Sequence, residues 1–226
     1  MKHITLINPN TSRKTTAMMT EIARKYIPGE FTIEGVTAAR GVPMILDAAA
    51  LSAAAEGVVE MGVAVAGRSD GLIVSAFGDP GIERLREISG IAAVGICEAS
   101  MLEASAGGRR FGIATVTPNL VGSFASKADA LGISPLFTGT RLTSGDPVAL
   151  ASDLERLHAA LAVAVRECFE KDRAEAVIIG GGPLGQAADD LQRLMFAPVI
   201  APIRSAVELL LSRIAGLRTA NAGPRR

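Results

Sequence analysis

The 226-residue chain has no tryptophan and a single tyrosine, Tyr26, so its core must be packed from alanine, leucine, isoleucine and valine. It also has no excess of either charge: lysine plus arginine and aspartate plus glutamate number 23 each. Without a basic surplus there is no electrostatic footprint for a phosphate backbone, which argues against nucleic acid as a partner. The longest apolar stretches are broken by glycine, aspartate or arginine before the roughly 20 residues that a membrane-spanning helix needs, so no membrane association is expected. Met1-Lys2-His3-Ile4 enters a strand directly, without the series of charged, apolar and small residues that marks a signal peptide, and the expected location is cytoplasmic. Only two cysteines occur, Cys97 and Cys168, both among apolar neighbours, a pattern that does not imply a disulfide. No His/Cys/carboxylate cluster has metal-ligand spacing, so no metal site is expected. The glycine-rich turn Gly180–Gly185 lacks both the spacing and the following acid of a dinucleotide fingerprint, and no phosphate-loop Gly-Lys-Ser/Thr occurs.

What the chain does have is a second copy of itself. Asp70-Gly-Leu-Ile-Val-Ser-Ala-Phe-Gly78 recurs at an offset of 105 as Glu175-Ala-Val-Ile-Ile-Gly-Gly-Gly-Pro183, and the same offset sets Ala93–Ile96 against Pro198–Ala201. Ile4–Asn10 echoes Ile113–Asn119 at an offset of 109. Short β-favouring runs alternate with alanine- and leucine-rich segments of helical period, the pattern of an α/β fold with parallel sheets covered by helices. Strands are expected near 3–7, 31–37, 71–75, 92–96, 111–115, 134–138, 176–180 and 198–201. Helices are expected near 12–27, 47–68, 80–88, 99–106, 119–131, 148–171, 185–196 and 203–216, with Ser12, Asp47 and Asp146-Pro147 as caps. The tail from Asn221 is expected to fray. The repeat divides the chain into two pseudo-symmetric half-domains, 1–98 plus 204–226 and 99–203, with the last helix crossing back onto the first sheet and a ligand cleft between the halves.

Parallel α/β sheets bind ligands at the carboxyl ends of their strands, where loop amides and helix N-termini converge. Four such ends are candidates: Asn8-Pro-Asn-Thr-Ser12, Ser75-Ala-Phe-Gly-Asp79, Thr115-Val-Thr-Pro-Asn119 and Gly180-Gly-Gly-Pro-Leu184. They are rich in amides and hydroxyls and poor in charge. Asn8, Asn10, Thr11, Ser75, Phe77, Gly78, Thr115, Thr117, Gly182 and Pro183 could therefore hold a small carboxylate or cyclic amide. The competing reading of Asn-Pro-Asn-Thr-Ser is a turn followed by a helix cap.

Ile7-Asn-Pro-Asn-Thr-Ser12, Phe77-Gly-Asp-Pro-Gly81, Gly95-Ile-Cys-Glu-Ala99 and Arg109-Arg-Phe-Gly-Ile113 together resemble the Asp/Glu/hydantoin racemase superfamily, closest to its hydantoin and allantoin racemase branch. The resemblance spans nearly the whole chain. It implies two Rossmann-like domains, a homo-oligomer, no cofactor, and racemisation by two cysteines on opposite faces of the substrate carbon. One thiolate removes the α-proton, the other thiol delivers one, and main-chain amides stabilise the enolate-like carbanion between them.

Both of those cysteines are missing. The pattern places one immediately before Phe77-Gly78-Asp79-Pro80, where this chain has Ala76, and the other after Gly180, where it has Gly181. The internal repeat pairs the same two positions independently. Among substitutes, Cys97 ends a strand and Glu98 follows it, so Glu98 is a weak candidate for a proton-transfer role, while Asp79 before Pro80 reads as a cap on the helix near 80–88. His3 and His158 read as surface residues, and Arg40 lies in a loop from which it could reach an anion. The expected function is isomerase-like chemistry at a carbon next to a carbonyl group without the two-cysteine machinery. The alternatives are a related decarboxylase or lyase, or a catalytically silent ligand-binding member.

Overall fold

The structure is a computed structural model that describes residues 1–221. Two four-stranded parallel sheets form it. The first has the order β2 (Phe31–Thr37), β1 (Lys2–Asn8), β3 (Gly71–Val74), β4 (Ala92–Gly95). The second repeats that order with β6 (Phe137–Leu142), β5 (Phe111–Thr115), β7 (Ala176–Ile179), β8 (Val199–Ile200). The sequence offset of 105 is thus the step from β3 to β7. Register follows the copy: Ile4 pairs with Gly71 in one sheet and Phe111 with Ala176 in the other.

Side-chain alternation along the strands builds three layers of core. Ile4, Leu6 and Ile73 of the first sheet and Phe111, Ile113 and Ile178 of the second point into one shared cluster between the sheets. Their neighbours Ile7, Leu72 and Val74 face outward onto α2 (Ala48–Ala66) and α3 (Ile82–Ser89). Val177 and Ile179 face outward onto α7 (Leu154–Glu170) and α8 (Gly185–Gln192). Because both faces of each sheet are covered, the strands can be apolar throughout.

The inner layer is made by α1 (Arg13–Arg24), α4 (Ile96–Ala104), α5 (Val121–Ala130) and α9 (Pro202–Asn221). Helix α4 follows β4 without a loop and packs against β7, β8 and α5 of the second half. Helix α9 packs back against β3 and β4, where Leu210 and Ile214 occupy the space a side chain on Gly71 would need. Each half therefore ends in a helix that covers the other.

Several elements differ from expectation. Pro135 has no N–H for a sheet ladder, so Ser134–Leu136 forms a 3-10 turn and the strand expected near 134–138 runs instead over Phe137–Leu142. The helix expected over 148–171 is broken into α6 (Pro147–Ala151) and α7, because Asp153 turns out of the helix and its side chain accepts from the Arg156 amide. Ile96 belongs to α4, not to β4. By length and composition α2, with a mean hydropathy of 1.5, could cross a membrane, unlike what its interruptions suggested. In the fold its Leu51, Val58, Gly62 and Val65 are buried against the first half. Asn221 closes α9, and the rest of the tail lies outside the described residues.

Candidate active site

The first loop of the site is both cap and wall. Asn8 is buried, and its Nδ2 lies 2.9 Å from Asn10 Oδ1, 2.9 Å from Thr16 Oγ1 and 3.2 Å from the Ser12 carbonyl. Ser12 N donates to Asn10 Oδ1, and Ser12 Oγ accepts from the Thr15 amide at 3.2 Å, which starts α1. Asn8 thus acts inside the loop, fixing the turn that holds Asn10 at the cleft. Thr11 turns the other way: its amide donates to the Val42 carbonyl and ties this loop to the β2–α2 connection. A second tie crosses the halves, where Asp47 forms an isolated parallel bridge with Asn119.

The second loop follows β3. Ser75 Oγ and N both donate to the Ile7 carbonyl at 2.9 Å, locking the start of the turn to β1. Phe77 packs edge-on against Phe124 of α5, with ring centroids 5.0 Å apart, so the turn is braced by the other half. Asp79 adopts φ 54° and reaches away from the cleft to the start of α4, where Oδ1 and Oδ2 accept the amides of Cys97 and Glu98, both at 2.8 Å. Gly95, the cap position of α4, can have no side chain because a Cβ would collide with that carboxylate. Asp79 therefore caps α4 and not α3, whose cap position is the left-handed Gly81. Burial pushes Asp79 up to about 7, against the downward pull of Lys127, 3.7 Å away, and of the two amides.

From the second half, Thr115 Oγ1 donates to the Gly180 carbonyl at 2.6 Å and lies 3.1 Å from Thr117 Oγ1, fixing the turn after β7. Gly182 comes so close to the first half that a Cβ would lie 2.6 Å from Met19 Sδ and 3.0 Å from the Ser75 carbonyl oxygen. Gly181 has φ 162°, an extended backbone that any residue adopts.

These loops enclose a cavity of about 260 Å³. Ala76 and Gly181, the two positions paired by the repeat, both line it, as do Asn10, Ser75, Phe77, Thr117, Gly182 and Pro183. Asn8, Thr11, Gly78 and Thr115 do not; Asn8 and Thr115 are buried one layer behind, holding Asn10 and Gly180. Sequence reasoning missed an apolar wall formed by Met18, Met44 and Ile45 from the first half and Leu154 and Leu157 from the second, as well as Lys14 and Thr15. The i, i+4 spacing of Lys14 and Met18 along α1 was the available signal for part of it.

The other titratable side chains singled out in the sequence lie elsewhere. Glu98 is buried against Arg86 and Arg213, with Arg213 Nη1 3.0 Å from its Oε1, and accepts from the Gly95 amide at 3.2 Å. It does not line the cavity, and its carboxylate is consumed by this ion network. Cys97 is fully buried, and burial beside Asp79 pushes its thiol well above the ordinary range. Cys168 packs under β5, and burial pushes it up to about 12. Such thiols hold their protons and are poor nucleophiles and bases. Arg40 pairs with Glu60 at 3.1 Å beside a separate depression, while His3 and His158 lie near Glu34 and Asp190. Among the described residues no group of three or more His, Cys, Asp or Glu side chains is placed to hold a metal ion.

Comparison with known proteins gives a consistent result. The model of the family described as Asp/Glu/hydantoin racemase matches residues 4–210. A hydantoin racemase of Pseudomonas sp. (strain NS671) is 26% identical over 208 residues, covering 91% of this chain and 83% of that protein. The structure of allantoin racemase from Klebsiella pneumoniae matches with a TM-score of 0.90 at 27% identity, over 95% of this chain and 88% of that one. Allantoin racemase from Pseudomonas fluorescens shares the fold with a TM-score of 0.89 at 22% identity, over 99% of this chain and 97% of that one.

Proposed function

The chain belongs to the Asp/Glu/hydantoin racemase family, and from that premise we propose that it inverts a carbon next to a carbonyl group in a small carboxylate or cyclic amide held between positions 76 and 181. The observation that carries this reading is the convergence of Ala76 and Gly181 on one cavity from the two halves of the molecule. The walls around them are ready for such a ligand: hydroxyls at Ser75 and Thr117, an amide at Asn10, and bare main chain at Gly180–Gly182. In the reaction one C–H bond breaks, its electron pair passes into the carbonyl as an enolate, and a proton returns from the other face. The Gly180 and Gly181 amides donate to the Ala114 and Ile179 carbonyls, so in this reading the Gly182 N–H is the main-chain donor that stabilises the enolate oxygen.

Neither an alanine methyl nor a glycine hydrogen can carry the proton. In this reading it passes through water admitted to the cavity beside Ser75, whose own hydroxyl proton is committed to the Ile7 carbonyl. A positioned general acid or base contributes roughly 10²–10⁴ in rate, so native turnover is slow on the scale of a thiol pair.

The test is deuterium incorporation in D₂O at the α-carbon of hydantoins, allantoin and acidic amino acids. Slow exchange, raised by Ala76→Cys together with Gly181→Cys, supports the reading. Binding with neither exchange nor turnover in the native protein and in the double variant would make the chain a silent ligand-binding member. Release of CO₂ from malonate-type acids would make it a decarboxylase.

A further inference from the structure

The cavity is built almost without charge, and the exception is informative. Among the residues that line it, Lys14 is the only one with an ionisable side chain. No aspartate or glutamate lines it, and no acidic side chain among the described residues pairs with Lys14. Lys14 stands in the first turn of α1, which contains Arg13 and Lys14 and no acidic residue. A cation is electrostatically unfavourable at a helix N-terminus, because the unpaired amides there already present positive partial charge. An anion at the mouth of the cavity would answer the lysine and the helix end together. A substrate ammonium group, by contrast, would meet no carboxylate anywhere on the wall. The same cavity is lined by the apolar side chains of Met18, Met44, Ile45 and Leu154, which suit a hydrocarbon substituent.

We propose that Lys14 determines substrate charge: the site takes a small acid with one carboxylate, an apolar substituent and no free ammonium group, with Lys14 holding the carboxylate. This inference rests on the function proposed above and chooses between the two ligand classes left open there. Lys14 is a binding and specificity residue in this assignment, and the reacting carbon stays between Ala76 and Gly181.

Three probes with one isobutyl substituent separate the charge states: N-acetylleucine as the monoanion, leucine as the zwitterion, and 5-isobutylhydantoin as the neutral ring. Titration calorimetry on the whole protein at low salt should show the monoanion binding tightest. Lys14→Gln should weaken the monoanion about fivefold, the scale of a solvent-exposed ion pair, and Lys14→Glu should weaken it further. Hydantoin binding should change far less than monoanion binding in Lys14→Gln, and an unchanged melting curve in both variants serves as the control for an intact fold. Equal binding of hydantoin and monoanion, or a monoanion affinity untouched by Lys14→Gln, overturns the assignment. If the hydantoin alone binds and exchanges its α-hydrogen in D₂O, the charge assignment falls and the proposed function stands. If none of the three binds, the charge assignment falls; if no hydantoin, allantoin or acidic amino acid exchanges either, the proposed function falls with it.

Discussion

The two turns that face each other across the cavity are copies in sequence and opposites in how they are held. The turn after β3 is pinned by polar groups: Ser75 to the Ile7 carbonyl, and Asp79 to the first amides of α4. In the turn after β7, the position that matches Asp79 is Leu184, which packs into the outer apolar cluster of the second half. There the chain is held by Thr115 and by the close approach of Gly182 to Met19 and Ser75. A buried carboxylate must have partners, so the first turn is tied to one particular helix end. The second turn has no buried carboxylate to satisfy: besides the Thr115 hydrogen bond to the Gly180 carbonyl it is held by apolar contact, which carries no such directional demand. The backbones differ accordingly: Gly78 and Asp79 have φ 132° and 54°, whereas the matching Pro183 and Leu184 lie in a 3-10 turn with Leu184 at φ −84°.

The sharpest way to break that comparison is to refill both positions. Ala76→Cys with Gly181→Cys should raise α-hydrogen exchange by roughly 10²–10⁴, while either change alone should recover much less, because two opposed groups act as one unit. At position 181 the extended backbone accepts the side chain, provided that Leu184 Cδ1, 3.0 Å from the new Cβ, shifts slightly. Failure of the double variant with an unchanged melting curve would mean that the surrounding walls no longer position a substrate carbon.

Asp79→Ala should cost about 3 kcal/mol in urea unfolding, since it removes the α4 cap and leaves Lys127 half-buried without that partner. Leu184→Ala should cost about 2 kcal/mol through lost packing alone. A larger loss for Leu184→Ala would reverse the assignment of polar and apolar cohesion to the two turns. Gly182→Ala should cost roughly 1–3 kcal/mol, because the Ser75 carbonyl is main chain and cannot move aside as a side chain would.

The smallest effect is a pH dependence confined to the first turn. Asp79 is raised from 3.8 to about 7 by burial, so the folded state holds this proton more tightly than the unfolded chain. The resulting stability is fully present below the unfolded value of 3.8 and is lost as pH rises through about 7. Unfolding free energy should fall by on the order of 1 kcal/mol between about pH 6 and pH 8, and Asp79→Asn should abolish that slope. An unchanged slope in Asp79→Asn would mean that another group titrates.

Much of this was legible in the chain. The repeat announced two matching sheets, and the apolar runs located β1, β2, β3, β5 and β7 to within a residue or two. The offset of the repeat pairs positions 76 and 181, and both line one cavity. Glu98 and Asp79 misled for a shared reason: a carboxylate near a strand end looks the same in sequence whether it faces a cleft, caps a helix or joins an ion network. Asp79 does cap a helix, but one that begins 17 residues later, at Ile96. Lys14 carries no mark of a site in the sequence, and the apolar wall from α7 lies in a segment whose pattern marks only a helix.

The order of residues along the chain decided the strands, the repeated halves and the pairing of positions 76 and 181, neither of which carries sulfur, since each of these depends on neighbours or on a copied register. The folded molecule alone decided which side chains share a cavity, which helix receives the Asp79 carboxylate, and that one lysine is the only charge among the described residues lining that cavity. Those are contacts between segments far apart in sequence, chosen by the packing of whole layers, and no local pattern encodes them.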